Sequence, residues 1–342
     1  MMKSKIRVLA IDGGGIRGVI PARILIHVEE ILQEISRNKQ AKISDFFDLV
    51  AGTSTGGILT ALILSPDSAY EAKDMLELYR SHGQDIFTRT ATTRFLDRLG
   101  LFHPLYQHNS LEMIFDNYLG NTKMSQLTRP ALIPTYNIET GEATFVSGVE
   151  ISKSFKSDRL VKDVLRATTA APTYFTPSWQ QPDAFIDGGM FANNPALCAY
   201  VEATKFPSNP KPNEIMILSL GTGSINQKYP YEKAKGWGRL HWIRPALEIY
   251  ASSSSQTVHH QLQMLYKHKG LEGNYLRIEP DLDEFEAAKS MDMATAENID
   301  ALCAVGAAMC EKYDEKLRTF LFNVVQSNVM SSHEKLYEQK EE

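Results

Sequence analysis

Apolar runs alternate with segments of helical periodicity in the first part of the chain. Residues 6–11 and 46–51 are almost continuously apolar, which is typical of strands buried on both faces of a parallel sheet. Apolar residues recur at helical spacing over 20–35, and a second apolar run covers 58–64. This order of strand, helix, strand and helix predicts a right-handed βαβ unit with two adjacent parallel strands.

The rest of the chain extends this α/β pattern less regularly. Further strands are predicted at three apolar runs, 131–136, 143–146 and 215–220. A long amphipathic helix is predicted over 294–325, whereas 225–275 shows no clear pattern. No repeat or linker divides the sequence, so we expect one domain over 1–330 and a polar, frayed tail over 331–342. The predicted fold is α/β, with a central, mostly parallel sheet flanked by helices.

Composition narrows the classes of protein. The chain has 342 residues, of which 43% are hydrophobic and 23% charged, and its net charge of −5 argues against a general binder of nucleic-acid polymers. Its three cysteines form no C-x-x-C pair, which indicates a reducing compartment. There is neither a signal-peptide core nor a run of 18 apolar residues. We therefore expect a cytoplasmic protein whose contact with a membrane is peripheral.

The segment Gly52-Thr53-Ser54-Thr55-Gly56 lies between a predicted strand and a predicted helix. A serine between two glycines at such a turn is held in a strained backbone geometry, with its hydroxyl exposed at the carboxyl end of the strand. The helix N-terminus that follows favours a developing negative charge. This pattern predicts a nucleophilic serine, Ser54, and therefore a serine hydrolase.

A glycine-rich loop, 12–18, follows the first strand. Gly13, Gly15 and Gly18 match the dinucleotide-binding pattern G-x-G-x-x-G, but the second strand ends in the serine turn instead of an acidic residue for a ribose. Because adjacent parallel strands end at the same sheet edge, the loop should face Ser54, and its N–H groups could bind an oxyanion. Arg17 could contact a lipid phosphate or could pair with a carboxylate that braces the loop.

The base that would activate Ser54 is less clear from the residues alone. None of the nine histidines lies in a setting that recommends it, and no metal-ligand spacing is present, so no metal is expected. Asp187 ends a short apolar strand and precedes Gly188 and Gly189. It could be a base held close to another backbone edge, or an ordinary turn aspartate.

Taken together, these segments resemble the patatin-like phospholipase family, including its bacterial members. The matching motifs are the loop 12–18, the serine turn 52–57, and the segment 187–195, with supporting stretches at 167–175 and 218–223. The resemblance is close over 6–223 and loose over the helical C-terminal part, 240–325. It implies a three-layer fold related to the α/β-hydrolase architecture.

The resemblance also implies a mechanism. Ser54 would be the nucleophile and Asp187 the base of a Ser–Asp dyad, and the amides of Gly13, Gly14 and Gly15 would bind the oxyanion. The supporting motif residues would be Asp12, Arg17, Gly18, Gly52, Gly56, Gly188 and Gly189. The expected substrates are acyl esters of phospholipids or lysophospholipids at a membrane surface, cleaved through an acyl-enzyme without a cofactor.

Two alternatives remain open at this point. Some bacterial relatives are anti-phage phospholipases that a cyclic dinucleotide activates, so a ligand-gated effector, monomeric or homo-oligomeric, is one. An esterase with a Ser–His–Asp triad is the other. Two regions, 89–102 and 233–244, mix aromatic residues with Lys and Arg, which is typical either of a cap over the sheet or of a segment that touches lipid.

Overall fold

The computed structural model describes residues 5–66, 70–87, 105–153, 158–225, 228–287 and 290–338. Its strands are β1 (Ile6–Ile11), β2 (Leu49–Gly52), β3 (Ala131–Asn137), β4 (Glu142–Ser147), β5 (Ser178–Gln180), β6 (Asp183–Asp187), β7 (Ile215–Leu220) and β8 (Tyr275–Ile278). Its α-helices are α1 (Val19–Ser36), α2 (Thr55–Ile63), α3 (Ala72–Ile86), α4 (Asn109–Leu119), α5 (Gly148–Lys153), α6 (Val161–Thr168), α7 (Gly189–Ala192), α8 (Ala196–Ala203), α9 (Tyr231–Ala234), α10 (Arg239–His268) and α11 (Ala296–Glu338).

The strands form one mixed sheet. Five of them, β8, β7, β1, β2 and β3, lie side by side and parallel. Beyond them, β6 and β5 continue the sheet in antiparallel pairing, and β4 also pairs antiparallel with β3. The parallel half therefore brings the carboxyl ends of β1, β2, β7 and β8 to one edge of the sheet.

The edge of β3 that lies opposite β4 is shared by two strands in succession. β2 pairs with it at Ala131 and Leu132, and β6 pairs with it from Thr135 onward. Since both strands lie on the same side of β3, the end of β2 and the end of β6 meet beside Pro134. The residue that follows β2 and the residue that ends β6 are thus brought face to face.

Helices cover both faces of the sheet, as the alternation of side chains along β1 requires. Leu9 and Ile11 belong to the larger core, which α1, α2, α3 and α11 complete. Val8 and Ala10 face the other way, into a smaller core closed by α8 and by Leu262 and Tyr266 of α10. The result is a three-layer α/β fold, and the fold class predicted from the sequence is confirmed.

Some predicted boundaries were wrong. The second strand starts at Leu49 instead of 46, because Phe46 and Phe47 are buried in the turn that precedes it. The long C-terminal helix continues to Glu338, into residues that we expected to be frayed. In the stretch without a clear pattern, the structure has α9, α10 and β8. None of the described helices combines the length and the apolarity of a bilayer-spanning segment.

Candidate active site

Ser54 lies at the sharp turn between β2 and α2, in a strained backbone conformation with φ 55° and ψ −120°. The turn is so tight that a Cβ on Gly52 would lie 2.1 Å from the Gly56 carbonyl oxygen. A Cβ on Gly56 would in turn lie 2.2 Å from the Ile11 carbonyl oxygen of β1. Both glycines are therefore required for strand and helix to approach, and the turn stores about 1–3 kcal/mol of strain.

Two threonines hold this turn in place. The backbone N–H of Ser54 donates to Thr168 Oγ1 at 3.1 Å, and the same hydroxyl donates to the Pro134 carbonyl at 2.7 Å. Thr53, which is fully buried, donates its hydroxyl to the Ala192 carbonyl at 2.7 Å. Local sequence patterns did not single out Thr168 as a residue that holds Ser54. It lies in the stretch 167–175, which was noted only for its resemblance to the family.

Asp187 faces Ser54 from the end of β6. The Ser54 side chain lies close enough to the carboxylate to lower its pKa, and the Gly189 N–H donates to Oδ1 at 2.7 Å. Gly188 turns the chain so closely that a Cβ there would lie 2.3 Å from the Pro134 carbonyl oxygen. No lysine or arginine among the described residues forms an ion pair with Asp187.

Burial raises the pKa of Asp187 to about 6, although the hydrogen bonds from Ser54 and Gly189 act in the opposite direction. A carboxylate without a neighbouring cation binds a proton more tightly than one in water, because desolvation penalises its charged form. A base with this pKa is largely ionised at neutral pH and can still accept a proton. The pair can therefore activate a serine hydroxyl.

The glycine loop lies against Ser54, with a Cβ on Gly13 only 3.4 Å from Ser54 Cβ. The Gly13 N–H, however, donates to the Asn193 carbonyl at 3.0 Å, so it is not available to an oxyanion, which corrects the expectation of three donors. Among the described residues, the N–H groups of Gly14 and Gly15 have no acceptor. They remain the two candidate oxyanion donors.

The loop is fixed from both sides. Thr222 and Asn193 donate side-chain hydrogen bonds to the Gly13 carbonyl, at 2.6 and 3.3 Å. Gly15 has φ +60°, and a Cβ on it would lie 2.2 Å from the Met291 carbonyl oxygen. At the far end of the loop, Gly18 packs against Thr55 and Tyr79 without room for a side chain. The loop is thus rigid before any substrate binds.

Asp12, at the start of the loop, belongs to a buried charge cluster instead of the reacting pair. Arg277 of β8 donates to both of its carboxylate oxygens, at 3.1 and 2.7 Å, and Ser255 of α10 donates to Oδ2 at 3.1 Å. Arg277 also contacts Glu279, whose pKa burial raises while Arg277 opposes the shift. This cluster joins the ends of β1 and β8 to α10.

Arg17 extends towards the same cluster. Its Nη1 donates to the Gly223 carbonyl at 3.2 Å, while its buried Nε has no hydrogen-bond partner among the described residues. Burial lowers the pKa of Arg17, and the nearby charge of Glu279 partly offsets this. Arg17 was expected either to contact a lipid phosphate or to pair with a carboxylate that braces the loop. Its hydrogen bond goes to a backbone carbonyl instead, and Glu279 is the carboxylate near it.

A large cleft lies beside the glycine loop, over the carboxyl ends of β1, β7 and β8. Its volume is about 1260 Å³, and it reaches Asn193 and Thr222, the two side chains that hold the Gly13 carbonyl. Its lining is mixed and somewhat more apolar than polar, and includes Arg17, Lys228, Tyr229, Glu248, Ile249 and Met291. The site thus combines the pair Ser54 and Asp187 with a roomy cleft of mixed lining next to it.

The described residues around Ser54 and Asp187 include neither a histidine partner nor a metal-binding group of side chains. Neither Ser54 nor Asp187 has a histidine partner among the described residues, and His259 instead contacts the Tyr275 hydroxyl at 2.9 Å. In the same part of the chain, no group of His, Cys, Asp or Glu residues is placed to hold a metal ion. His103 lies outside the described residues.

The fold and the site together define an α/β serine hydrolase. Residues 9–200 match the family model described as patatin-like phospholipase. Patatin-like protein 2 of Arabidopsis thaliana is 33% identical over 342 residues, covering 90% of this chain and 83% of that protein. Patatin-2-Kuras 3 of Solanum tuberosum is 31% identical over 350 residues, covering 92% and 88%. The chain belongs to the patatin-like phospholipase family, and it is an enzyme that hydrolyses lipid acyl esters.

Among solved structures, the crystal structure of VipD from Legionella pneumophila aligns with 89% of this chain and 67% of its own, with a TM-score of 0.41 and 12% identity.

Proposed function

We propose that the protein is a phospholipase A or lysophospholipase that uses Ser54 and Asp187 as a catalytic dyad. The observation that carries the proposal is a serine in a strained turn beside a buried aspartate that the Gly189 N–H holds, with the pKa of the aspartate raised to about 6 by burial. A nucleophile and a base within hydrogen-bond reach, with the base held by a third group, are the usual arrangement for acyl transfer. Here the third group is the Gly189 N–H.

In the first half of the reaction, Asp187 accepts the Ser54 proton as Oγ attacks the ester carbonyl carbon. The carbonyl oxygen becomes an oxyanion, to which the N–H groups of Gly14 and Gly15 donate. Removing one such donor typically raises the barrier by about 2.7–4 kcal/mol. Asp187 then gives its proton to the departing alcohol oxygen, which leaves Ser54 acylated.

In the second half, water attacks the acyl-enzyme. Asp187 accepts a proton from this water, and the new oxyanion is stabilised by the same two amides. When it collapses, the bond to Ser54 Oγ breaks, Asp187 returns the proton to the serine, and a fatty acid is released. The same residues therefore act in both halves, because the second acyl transfer is the reverse of the first with water in place of the alcohol.

The charged groups that line part of the cleft suit the head group of a phospholipid. Arg17 lines it with a buried Nε that lacks a partner among the described residues, so a lipid phosphate can take that position. The glycine loop separates this space from the dyad, which places the head group and the scissile ester on adjacent sides of one loop. We place the enzyme in the cytoplasm, where the free thiols of Cys198, Cys303 and Cys310 are stable, with peripheral access to lipid.

A fluorophosphonate probe tests the nucleophile, because it forms a stable adduct only with an activated serine. Peptide mapping should find the label on Ser54, and Ser54→Ala should lose both the label and hydrolysis across a panel of phospholipid, lysophospholipid and neutral-lipid esters. Label on another serine, or hydrolysis that survives in Ser54→Ala, would contradict the proposal. The relative rates over the panel identify the head group and acyl position.

A second candidate is a phospholipase of bacterial anti-phage defence, gated by a cyclic dinucleotide and active as a homo-oligomer. The size of the cleft favours it, since about 1260 Å³ exceeds the roughly 300–1,000 Å³ of ordinary ligand pockets. Hydrolysis rates with and without added cyclic dinucleotides, together with the mass of the particle in solution, test this candidate. Full activity without any nucleotide would exclude gating.

A further inference from the structure

Large apolar side chains are exposed in one short part of the molecule, residues 228–250, which we call the docking segment. It contains α9 and the first turns of α10. Of the 13 large hydrophobic residues that are exposed in the described chain, six lie here, namely Tyr231, Leu240, Trp242, Ile243, Ile249 and Tyr250. Leu240 is 80% exposed and Ile243 is 56% exposed. Such clustering of apolar surface marks an interaction site, whereas scattered residues do not.

The base of the docking segment is held together by aromatic packing. Trp237 lies between Tyr229 and Trp242, with ring centroids at 5.5 and 5.1 Å in edge-to-face geometry. Trp237 therefore supports the segment from within, and Leu240 and Ile243 are the most exposed aliphatic side chains that the segment presents to solvent. The predicted lipid-contacting region 233–244 thus contains both a scaffold and an outward face, while its counterpart at 89–102 lies outside the described residues.

The docking segment is cationic although the whole chain has a net charge of −5. It contains five Lys or Arg residues and two Glu residues. Both glutamates are engaged, Glu232 with Lys235 and Glu248 with the Tyr229 hydroxyl. The exposed cations Lys228, Lys233 and Arg239 therefore face solvent around the apolar residues. Apolar side chains ringed by cations and by interfacial aromatics complement an anionic lipid surface.

The docking segment is continuous with the cleft beside the glycine loop. Lys228, Tyr229, Glu248 and Ile249 belong to the segment and also line the cleft. A surface that binds the segment therefore lies directly at the mouth of the cleft. A second copy of the chain fits this face less well, because the cores of protein interfaces are depleted in lysine.

We propose that residues 228–250 dock the enzyme onto an anionic lipid bilayer and so bring the mouth of the cleft against the head groups. Leu240 and Ile243 enter the apolar layer, and Lys228, Lys233 and Arg239 bind the lipid phosphates. The proposal rests on the proposed function in that the bilayer supplies the substrate, but binding to vesicles can be measured without hydrolysis.

The experiment uses the full chain and vesicles of phosphatidylcholine with and without phosphatidylglycerol. Leu240→Ser combined with Ile243→Ser should weaken binding to the anionic vesicles by tenfold or more, and Lys233→Gln combined with Arg239→Gln should remove the preference for phosphatidylglycerol. The matched control is Met113→Ser combined with Phe322→Ser, which removes two exposed apolar residues elsewhere and should bind like the wild type. Added salt should weaken binding of the wild type.

Hydrolysis of a short soluble ester separates docking from catalysis. The docking variants should keep their rate on this ester and lose rate on vesicles. Vesicle binding that is unchanged in the Leu240/Ile243 variant would overturn the proposal, as would a wild-type dimer that this variant converts to a monomer while vesicle binding persists. If the wild type binds vesicles through this segment but hydrolyses no lipid, docking stands and the proposed function fails.

Discussion

The same tripeptide, Asp-Gly-Gly, occurs at two places on this sheet with different consequences. Asp12 follows β1, Asp187 ends β6, and each is buried and followed by two glycines. Arg277 binds Asp12 through two hydrogen bonds, at 3.1 and 2.7 Å. Asp187 is instead bound by the Ser54 hydroxyl and one backbone N–H. Only the partners differ.

The difference shows what makes a buried carboxylate a base. An arginine in bidentate contact stabilises the charged form and turns the carboxylate into a structural brace. Without a cation, burial dominates and raises the pKa, so that the carboxylate accepts a proton near neutral pH. Asp12 thus connects β1 to β8 and α10, and Asp187 is left free to react.

The largest effect should come from substituting Asp187, the aspartate without a cation, or its neighbour Ser54. Ser54→Ala and Asp187→Asn should each lower kcat on the order of 10⁴-fold or more, because nucleophile and base act as one unit. The double variant should be no slower than either single variant. Steady-state hydrolysis of a soluble ester measures this, with circular dichroism as the control for folding. Additive losses in the double variant would show that the two residues do not act together.

Removing Arg277, which pairs with Asp12, should lower the free energy of unfolding more than it lowers the rate of hydrolysis. Arg277→Met leaves the buried Asp12 carboxylate without a cation, and removing one partner of a buried ion pair typically costs about 3–5 kcal/mol. Urea denaturation at neutral pH should show this loss, whereas Asp187→Asn should show none. A cost below about 1 kcal/mol for Arg277→Met would mean that the cluster is solvated in solution.

The pH dependence of activity should report the raised pKa. In the proposed dyad the ionised form of Asp187 is the base, so kcat/KM on a soluble ester should fall about tenfold per pH unit below pH 6 and be level above it. The measurement compares rates between pH 4.5 and 8 over the range in which the protein stays folded. A rate that remains level down to pH 4.5 would contradict a base with this pKa.

The free energy of unfolding should also depend on the titration of Asp187. The direction is opposite to that of an aspartate held in an ion pair. The pKa of Asp187 is about 6 in the folded state, against 3.8 for an unperturbed aspartate, so the folded state binds the proton more tightly. Its favourable contribution is complete below pH 4 and is lost as pH rises through 6. Relative to wild type, Asp187→Asn should therefore gain about 3 kcal/mol between pH 4 and pH 8, since each unit corresponds to about 1.4 kcal/mol.

Local patterns predict Ser54 as the nucleophile, but they leave Asp187 open between a base and an ordinary turn aspartate, and only the family resemblance favours the base. Ser54 and Asp187 are each defined by a few neighbours, namely the glycines that permit a tight turn and the apolar strand before it. The residues that contact these turns and loops lie far away along the chain, where no local pattern can reveal them. Arg277 is 265 residues from Asp12, and Thr168 is 114 residues from Ser54. Asn193, whose carbonyl takes the Gly13 N–H, is 180 residues from that glycine.

The cleft could not be predicted for a different reason. Its wall is formed by α10, a 30-residue helix whose first turns are exposed on most sides, so its sequence has no continuous apolar stripe. Periodicity identifies a helix only where one face packs against a core. The same absence of packing that hid this helix from sequence analysis is what leaves the docking segment open to a partner.

The smallest effect should come from Thr168, which holds Ser54 without reacting. Thr168→Val keeps the shape of the side chain but removes the acceptor of the Ser54 N–H and the donor to the Pro134 carbonyl. Unsatisfied buried groups typically cost about 1–3 kcal/mol, and a turn that relaxes should lower kcat roughly tenfold with little change in KM. Thr168→Ser, which keeps the hydroxyl, should recover most of the rate. If Thr168→Val matches the wild type, the glycines alone hold Ser54 in its strained conformation.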